Sequence, residues 1–156
     1  FGDKYSKPLN CFVDNQDGKK NAVKMGSYGV GVSRLVGAII EAKYDDKKEI
    51  MKWPIAVSPF DCAIIPLISK NDNSNLLKAN KIFNDLNDKK IECIIDDTEE
   101  NISSKIKKFN LIGIPYQIII GKKSNENIFE FNEVGGESRN LSLDQIIEII
   151  NKIKKN

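Results

Sequence analysis

The hydrophobic pattern divides the chain into a first third of short mixed segments and a remainder in which apolar runs alternate with helical stripes. Over residues 1–24 brief apolar pieces are interrupted by turn chemistry, and Gln16-Asp17-Gly18-Lys19 predicts a hairpin turn between two antiparallel strands. Residues 25–32 read as a further strand, and a helix opens at Ser33 or Arg34 and runs to about Lys43. That helix is apolar around most of its circumference and is therefore expected to be buried. Gly37 inside it costs about 1 kcal/mol against alanine, which predicts close backbone packing at that point. A charged stretch over 45–52, then Pro54 and Pro59, interrupts regular structure and places a domain boundary near residues 52–58.

Beyond the boundary strand and helix signals alternate, the signature of an α/β domain. Strands are predicted over 62–68, with Pro66 weakening the far end, over 91–96, and over 115–121, where Pro115 holds Ile114 extended. A helix over 74–88 gathers Leu76, Ala79, Ile82, Phe83 and Leu86 on one face, and a short one over 104–109 turns Ile106 and Phe109 inward. Two weaker strands, 127–132 and 136–141, meet around Gly135-Gly136. Ser142-Leu143-Asp144-Gln145 forms a capping box, and Ile146, Ile147, Ile149, Ile150 and Ile153 make the apolar face of the helix it opens. The predicted product is a mixed sheet flanked by helices, without internal repeats.

Composition narrows the chemistry. The 156 residues are 40% hydrophobic and 29% charged, enough for a real core. A net charge of +2 gives no electrostatic footprint for nucleic acid over the whole chain, so RNA binding requires a local patch. Cys11, Cys62 and Cys93 are far apart and form no Cys-x-x-Cys, which argues against a disulfide framework or a zinc site and fits a reducing cytosol. The chain has no histidine, the usual general base and commonest metal ligand. Chemistry must then rest on phosphate-binding cations, metal-bound carboxylates or substrate groups. No apolar run reaches membrane-spanning length and none reads as a signal peptide.

The most distinctive string is Met25-Gly26-Ser27-Tyr28-Gly29-Val30-Gly31-Val32-Ser33-Arg34. Its glycines allow a backbone to approach a ligand that a Cβ would push away, and the arginine offers a planar fork of donors suited to phosphate oxygens. The order is not the Gly-x-Gly-x-x-Gly of dinucleotide folds, and no lysine follows in P-loop position. Tight packing without a ligand remains an alternative.

The string resembles motif 3 of class II aminoacyl-tRNA synthetases, a Gly-x-Gly-(hydrophobic)-x-Arg pattern on a strand-helix unit, and within them the bacterial-type prolyl-tRNA synthetases. Gly2-Asp3-Lys4-Tyr5-Ser6, Trp53-Pro54-Ile55-Ala56-Val57-Ser58-Pro59-Phe60, Asp96-Asp97 and Leu111-Ile112-Gly113-Ile114-Pro115 are similar to further stretches of that family, in the same order. The resemblance covers essentially the whole chain. It implies the end of an antiparallel class II catalytic sheet over residues 1–52, a linker over 53–58, and an α/β anticodon-binding domain over 59–156. Because Phe1 falls inside a family stretch, the sequence reads as a C-terminal piece of a longer protein.

By the same resemblance Arg34 pairs with the γ-phosphate of ATP, and Gly26, Ser27, Gly29, Gly31 and Arg34 line the ATP and proline pockets. Ser27 stands where the family commonly has cysteine, which leaves a thiol contribution in doubt; ordinary strand polarity is the other reading. Phe60, Asp97, Lys105 and Gly113 are the candidates for anticodon contact. Here the sequence departs from the family's Arg-x-Glu-Arg-x-Gly, having Thr98, Asn101 and Ser103 in that stretch, so base recognition by those arginines does not carry over. Asp96-Asp97 suggests a strand-end turn over a metal site, since strand neighbours face opposite ways. Lys105, Lys107 and Lys108 make either a solvated face or a phosphate contact. Lys152, Lys154 and Lys155 sit where cations offset a helix dipole. Trp53 reads as a packed boundary residue over a stacking platform.

The resemblance thus implies a cytoplasmic, homodimeric proline–tRNA ligase using ATP, magnesium, proline and proline tRNA, with no membrane partner. The 156 residues alone are expected to be inactive. The alternative is a non-catalytic α/β module that binds RNA at the anticodon.

Overall fold

The structure is a computed structural model that describes residues 1–69, 72–121 and 127–155. It falls into two compact units, Phe1–Val36 and Gly37–Asn156. In the first, strands β1 (Phe12–Asp14) and β2 (Lys20–Ala22) pair antiparallel with Phe12 opposite Ala22 and Asp14 opposite Lys20. The predicted turn closes them. Gly18 takes φ +72°, and the Asn15 side chain accepts from the N–H groups of Asp17 and Lys19 at 3.0 and 2.8 Å.

The strand expected over 25–32 reduces to one bridge, Met25 to Gly2. Residues 26–31 have no ladder partner among the described residues, and extended backbone becomes a strand only when a neighbour takes its hydrogen bonds. Helix α1 (Val32–Lys43) follows, its first turn closed by Arg34 and Leu35 N–H groups on the Gly31 carbonyl at 3.0 and 3.1 Å. The expected burial of α1 is corrected. None of its residues is buried, Val32 is 78% exposed, and a Cβ on Gly37 would meet nothing within 4 Å. No described element covers its apolar residues.

The second unit contains a 3₁₀ turn (Ile55–Val57), β3 (Cys62–Pro66), α2 (Ser74–Asp88), β4 (Cys93–Ile95), α3 (Ile102–Ile112), β5 (Tyr116–Ile120), β6 (Ile128–Glu133), β7 (Ser138–Ser142) and α4 (Leu143–Lys154). The sheet order is β4-β3-β5-β6-β7; β3 runs parallel to β4 and β5, and β6 and β7 are antiparallel. β3 and β5 are buried along their full length, as parallel strands covered on both faces must be. Cys62, Ile64, Ile118 and Ile120 pack with Ala79, Ile82 and Leu86 of α2 and Ile146 and Ile150 of α4. Ala63, Ile65 and Ile119 face the other way, onto Phe109 of α3 and Ile114. The layers are therefore α2 and α4, sheet, α3.

Helix α3 is longer than its apolar residues suggested. Asn101 caps it by accepting from Ser104 N–H at 2.9 Å, and Gly113 ends it in the left-handed region at φ +88°. The capping box of α4 forms as read, with both the Ser142 and Gln145 side chains engaged.

Candidate functional site

The crossover helices decide where this sheet can hold a ligand. The connection after β3 leads to α2 on one face, and the connection after its neighbour β4 leads to α3 on the other. The chain runs from β3 out to β4 and then returns past β3 to β5, so the topological switch point at which open α/β sheets take ligands lies at the carboxyl ends of β3 and β5, with the end of β4 beside it.

Pro66 ends β3 with its carbonyl aimed toward β4. Two residues earlier the ladder is intact, Asp96 N–H donating to the Ile64 carbonyl at 3.0 Å. A continuing ladder would next give Thr98 N–H to Pro66. Instead Thr98 N–H turns back to Asp96 Oδ1 at 3.0 Å, joined by its own hydroxyl. The vacant carbonyl is taken by a side chain. Lys105 Nζ donates to Pro66 O at 2.9 Å and to Asp96 O at 3.0 Å, and lies 3.6 Å from Asp96 Oδ1. Proline suits this position, having no N–H to leave unpaired where β4 departs.

The charges are arranged in a line from interior to surface. Lys105 is fully buried, Asp96 nearly so, and Lys108 Nζ reaches Asp96 Oδ2 at 2.7 Å and Glu100 Oε2 at 3.3 Å from partly exposed positions. Burial pushes the Asp96 carboxyl up, but hydrogen bonds from Lys108 and Thr98 and the nearby Lys105 charge outweigh it and hold the group below its ordinary range. Burial lowers the Lys105 ammonium, with Asp96 opposing. Lys108 is raised, chiefly by its bond to Asp96. Asp97 and Thr98 are exposed just beyond the carboxyl end of β4.

In the first unit the glycine-rich string is exposed from Gly26 to Arg34. Gly31 lies against Arg34, whose Cβ is 3.5 Å from where a Gly31 Cβ would stand, and Tyr28 folds over Gly26 with its ring and hydroxyl 3.1 Å from the equivalent point. A Cβ on Gly29 would meet nothing within 4 Å. Arg34 thus stands in the first turn of α1, its guanidinium unburied and suited to an anion.

A family model described as an anticodon binding domain matches residues 61–153. The chain belongs to the anticodon-binding domain family. It is 64% identical over 154 residues to a proline–tRNA ligase of Pelagibacter ubique, covering 99% of this chain and 35% of that protein. It is 49% identical over 153 residues to one from the Wolbachia endosymbiont of Brugia malayi, again with 35% of the relative covered. The chain thus spans about a third of the length of these relatives. The fold is that of a crystal structure of prolyl-tRNA synthetase from Cryptosporidium parvum complexed with L-proline and AMP, at TM-score 0.68 and 17% identity, over 99% of this chain and 32% of that one.

The carboxyl ends of β3, β4 and β5 all lie inside the residues matched to the anticodon-binding domain. The four residues expected to contact RNA are not gathered there. Asp97 and the Lys105 ammonium are at the carboxyl ends of the parallel strands, whereas Phe60 and Gly113 precede β3 and β5 at the opposite end. Helix α3, about 16 Å long at 1.5 Å per residue, separates the two ends. Phe60 packs against the Phe109 cluster. Gly113 is enclosed; a Cβ there would stand 2.5 Å from Met51 Cγ and 3.0 Å from Trp53 Cδ1. Trp53 N–H donates to Gly113 O and its indole Nε1–H to Ile112 O, each at 2.9 Å, so its packed role is structural. The expectation of a solvated or phosphate-facing Lys105 is corrected by its burial. The signal was in the sequence: Lys105 shares the inward stripe of Ile102, Ile106 and Phe109. Lys154 does more than face the helix dipole, donating to Asp61 Oδ2 at 2.6 Å and to Lys90 O at 3.1 Å.

Among the described residues no helix is long and apolar enough to cross a membrane. No group of three or more His, Cys, Asp or Glu among them is placed to hold a metal ion.

Proposed function

We propose that this chain is the C-terminal part of a bacterial-type proline–tRNA ligase, a cytoplasmic homodimer that activates proline with ATP and transfers it to the end of proline tRNA. The observation that carries the reading is 64% identity to a proline–tRNA ligase sustained over 99% of the chain. Residues 1–52 supply the end of the catalytic domain, 53–58 the linker and 59–156 the anticodon-binding domain. Arg34 holds a phosphate of ATP by charge-assisted hydrogen bonds, while Gly26, Ser27, Gly29 and Gly31 keep the approach free of bulky side chains. Magnesium enters bound to the nucleotide and neutralises phosphate charge during adenylate formation. Asp97 and Thr98, exposed just beyond the carboxyl end of β4, meet the anticodon, where unstacked bases offer edges to a carboxylate acceptor and a hydroxyl.

For the isolated chain, a second description as a non-catalytic anticodon-binding module is favoured by the exposed string 26–31 and the uncovered face of α1.

The experiment is Arg34→Ala in the intact enzyme. Proline-dependent ATP–pyrophosphate exchange should fall by about 10²–10³-fold, the effect of losing a donor to developing charge. Binding of proline tRNA should be nearly unchanged. Unaltered exchange would remove Arg34 from the catalytic assignment.

A further inference from the structure

We propose that Lys105 is a positioning residue for anticodon reading, fixing how Asp97 and Thr98 are presented without itself touching RNA. The inference rests on the assignment of anticodon binding to the residues just beyond β4 and narrows it to a mechanism of specificity.

Three observations converge. The ammonium takes the carbonyls of Pro66 and Asp96, the residues at which neighbouring strands stop pairing, and so sets the width at which β3 and β4 part. Asp96, held from within by Lys105 and from outside by Lys108, accepts both the N–H and the hydroxyl of Thr98. Asp97 lies between these two anchored residues, so its backbone follows their placement. Finally, Lys105 is fully buried on an apolar helix stripe. An apolar side chain of similar length would keep the packing of that stripe but would leave the Pro66 and Asp96 carbonyls without their donor. What only the ammonium supplies is a pair of donors to the two strand ends.

The test measures, in the full chain, affinity for the anticodon stem-loop of proline tRNA and for an anticodon-swapped stem-loop, across a salt series. Lys105→Met should reduce the preference for the cognate loop by about tenfold, a coupling ordinary for groups sharing one network. The slope of affinity against salt should be unchanged, because a buried lysine releases no counterion; a direct phosphate contact would lower it by about 0.7. Adding Asp97→Ala to Lys105→Met should cost little more discrimination, both changes acting on one readout. Thr98→Val, which loosens the same turn from its exposed side, should give a smaller loss in the same direction. It carries the test if Lys105→Met does not fold.

A reduced salt slope, additive losses, or cognate preference retained in the folded variants would overturn the positioning role while leaving anticodon binding intact. A parent chain that binds both loops equally would overturn anticodon reading itself, and positioning with it.

Discussion

Lys154, in the last turn of α4, is bonded to Asp61 at the foot of β3, Nζ to Oδ2 at 2.6 Å across 93 residues of sequence. The same carboxylate oxygen accepts the N–H of Glu92 at 2.8 Å, so one buried group ties the first parallel strand, the approach to β4 and the end of α4. Removing the two partners should therefore have unequal effects. Asp61→Ala leaves an ammonium and a backbone N–H without their acceptor and should destabilise by about 1–3 kcal/mol. Lys154→Ala removes a half-exposed cation and should cost about 1 kcal/mol or less. Urea unfolding of both variants and the double variant gives the difference.

Two glycine-to-alanine changes should act with opposite sign. Gly113→Ala forces a side chain into the left-handed region, about 1–2 kcal/mol by itself, and drives it into Met51 and Trp53. Gly37→Ala meets open space within a helix and should stabilise α1 by about 1 kcal/mol. Trp53 is the chain's single tryptophan, so its emission should shift for the first change and stay constant for the second.

Acid should act through Asp96. Its carboxyl is held below the ordinary aspartate value of 3.8 in the folded state, so the folded state favours the ionised form. The resulting stability is present in full above about pH 4 and is lost as pH falls through the lower folded value. Asp96→Asn should start less stable at neutral pH and show a shallower loss below pH 4. Equal acid slopes in the parent and Asp96→Asn, read from thermal melts between pH 2 and 6, would rule the linkage out.

The 156-residue chain alone should form no prolyl adenylate. Among the described residues, Arg34 stands on a helix whose apolar residues are uncovered, beside a string with no ladder partner. Pyrophosphate exchange above the level of an Arg34→Ala preparation would contradict this.

What the sequence made legible was local. The capping box of α4 needs only Ser142 and Gln145, four residues of context, and the face of α2 follows from spacing alone. Strand positions were readable because β3 and β5 are buried on both faces and so are apolar throughout, Gln117 of β5 excepted. Non-local facts were hidden. The helical spacing of Lys105 with Ile102, Ile106 and Phe109 signals that it turns inward, but its partners, the carbonyls of Pro66 and Asp96, are backbone groups that no residue code advertises. The role of Lys154 needs Asp61, far away in sequence. Phe60 and Gly113 were grouped with Asp97 because the direction of the parallel strands, which sends them to opposite ends, emerges only from pairing. For α1, amphipathic spacing announces a surface to be covered but not what covers it.

The division of labour between α2 and α4 has a consequence for synthesis on the ribosome. The face of β3 and β5 that carries Ile64 and Ile118 is roofed by α2 at one side and by Ile146 and Ile150 of α4 at the other. Chains grow from the amino end, so β3, β4 and β5 emerge with half that roof missing. Completion waits for a twelve-residue helix whose capping box satisfies two N–H groups at its start, and whose Lys154 then locks back onto Asp61, translated more than ninety residues earlier. The nascent domain must therefore stay open until α4 clears the exit tunnel, and a stall anywhere between β5 and α4 leaves one side of that isoleucine face bare.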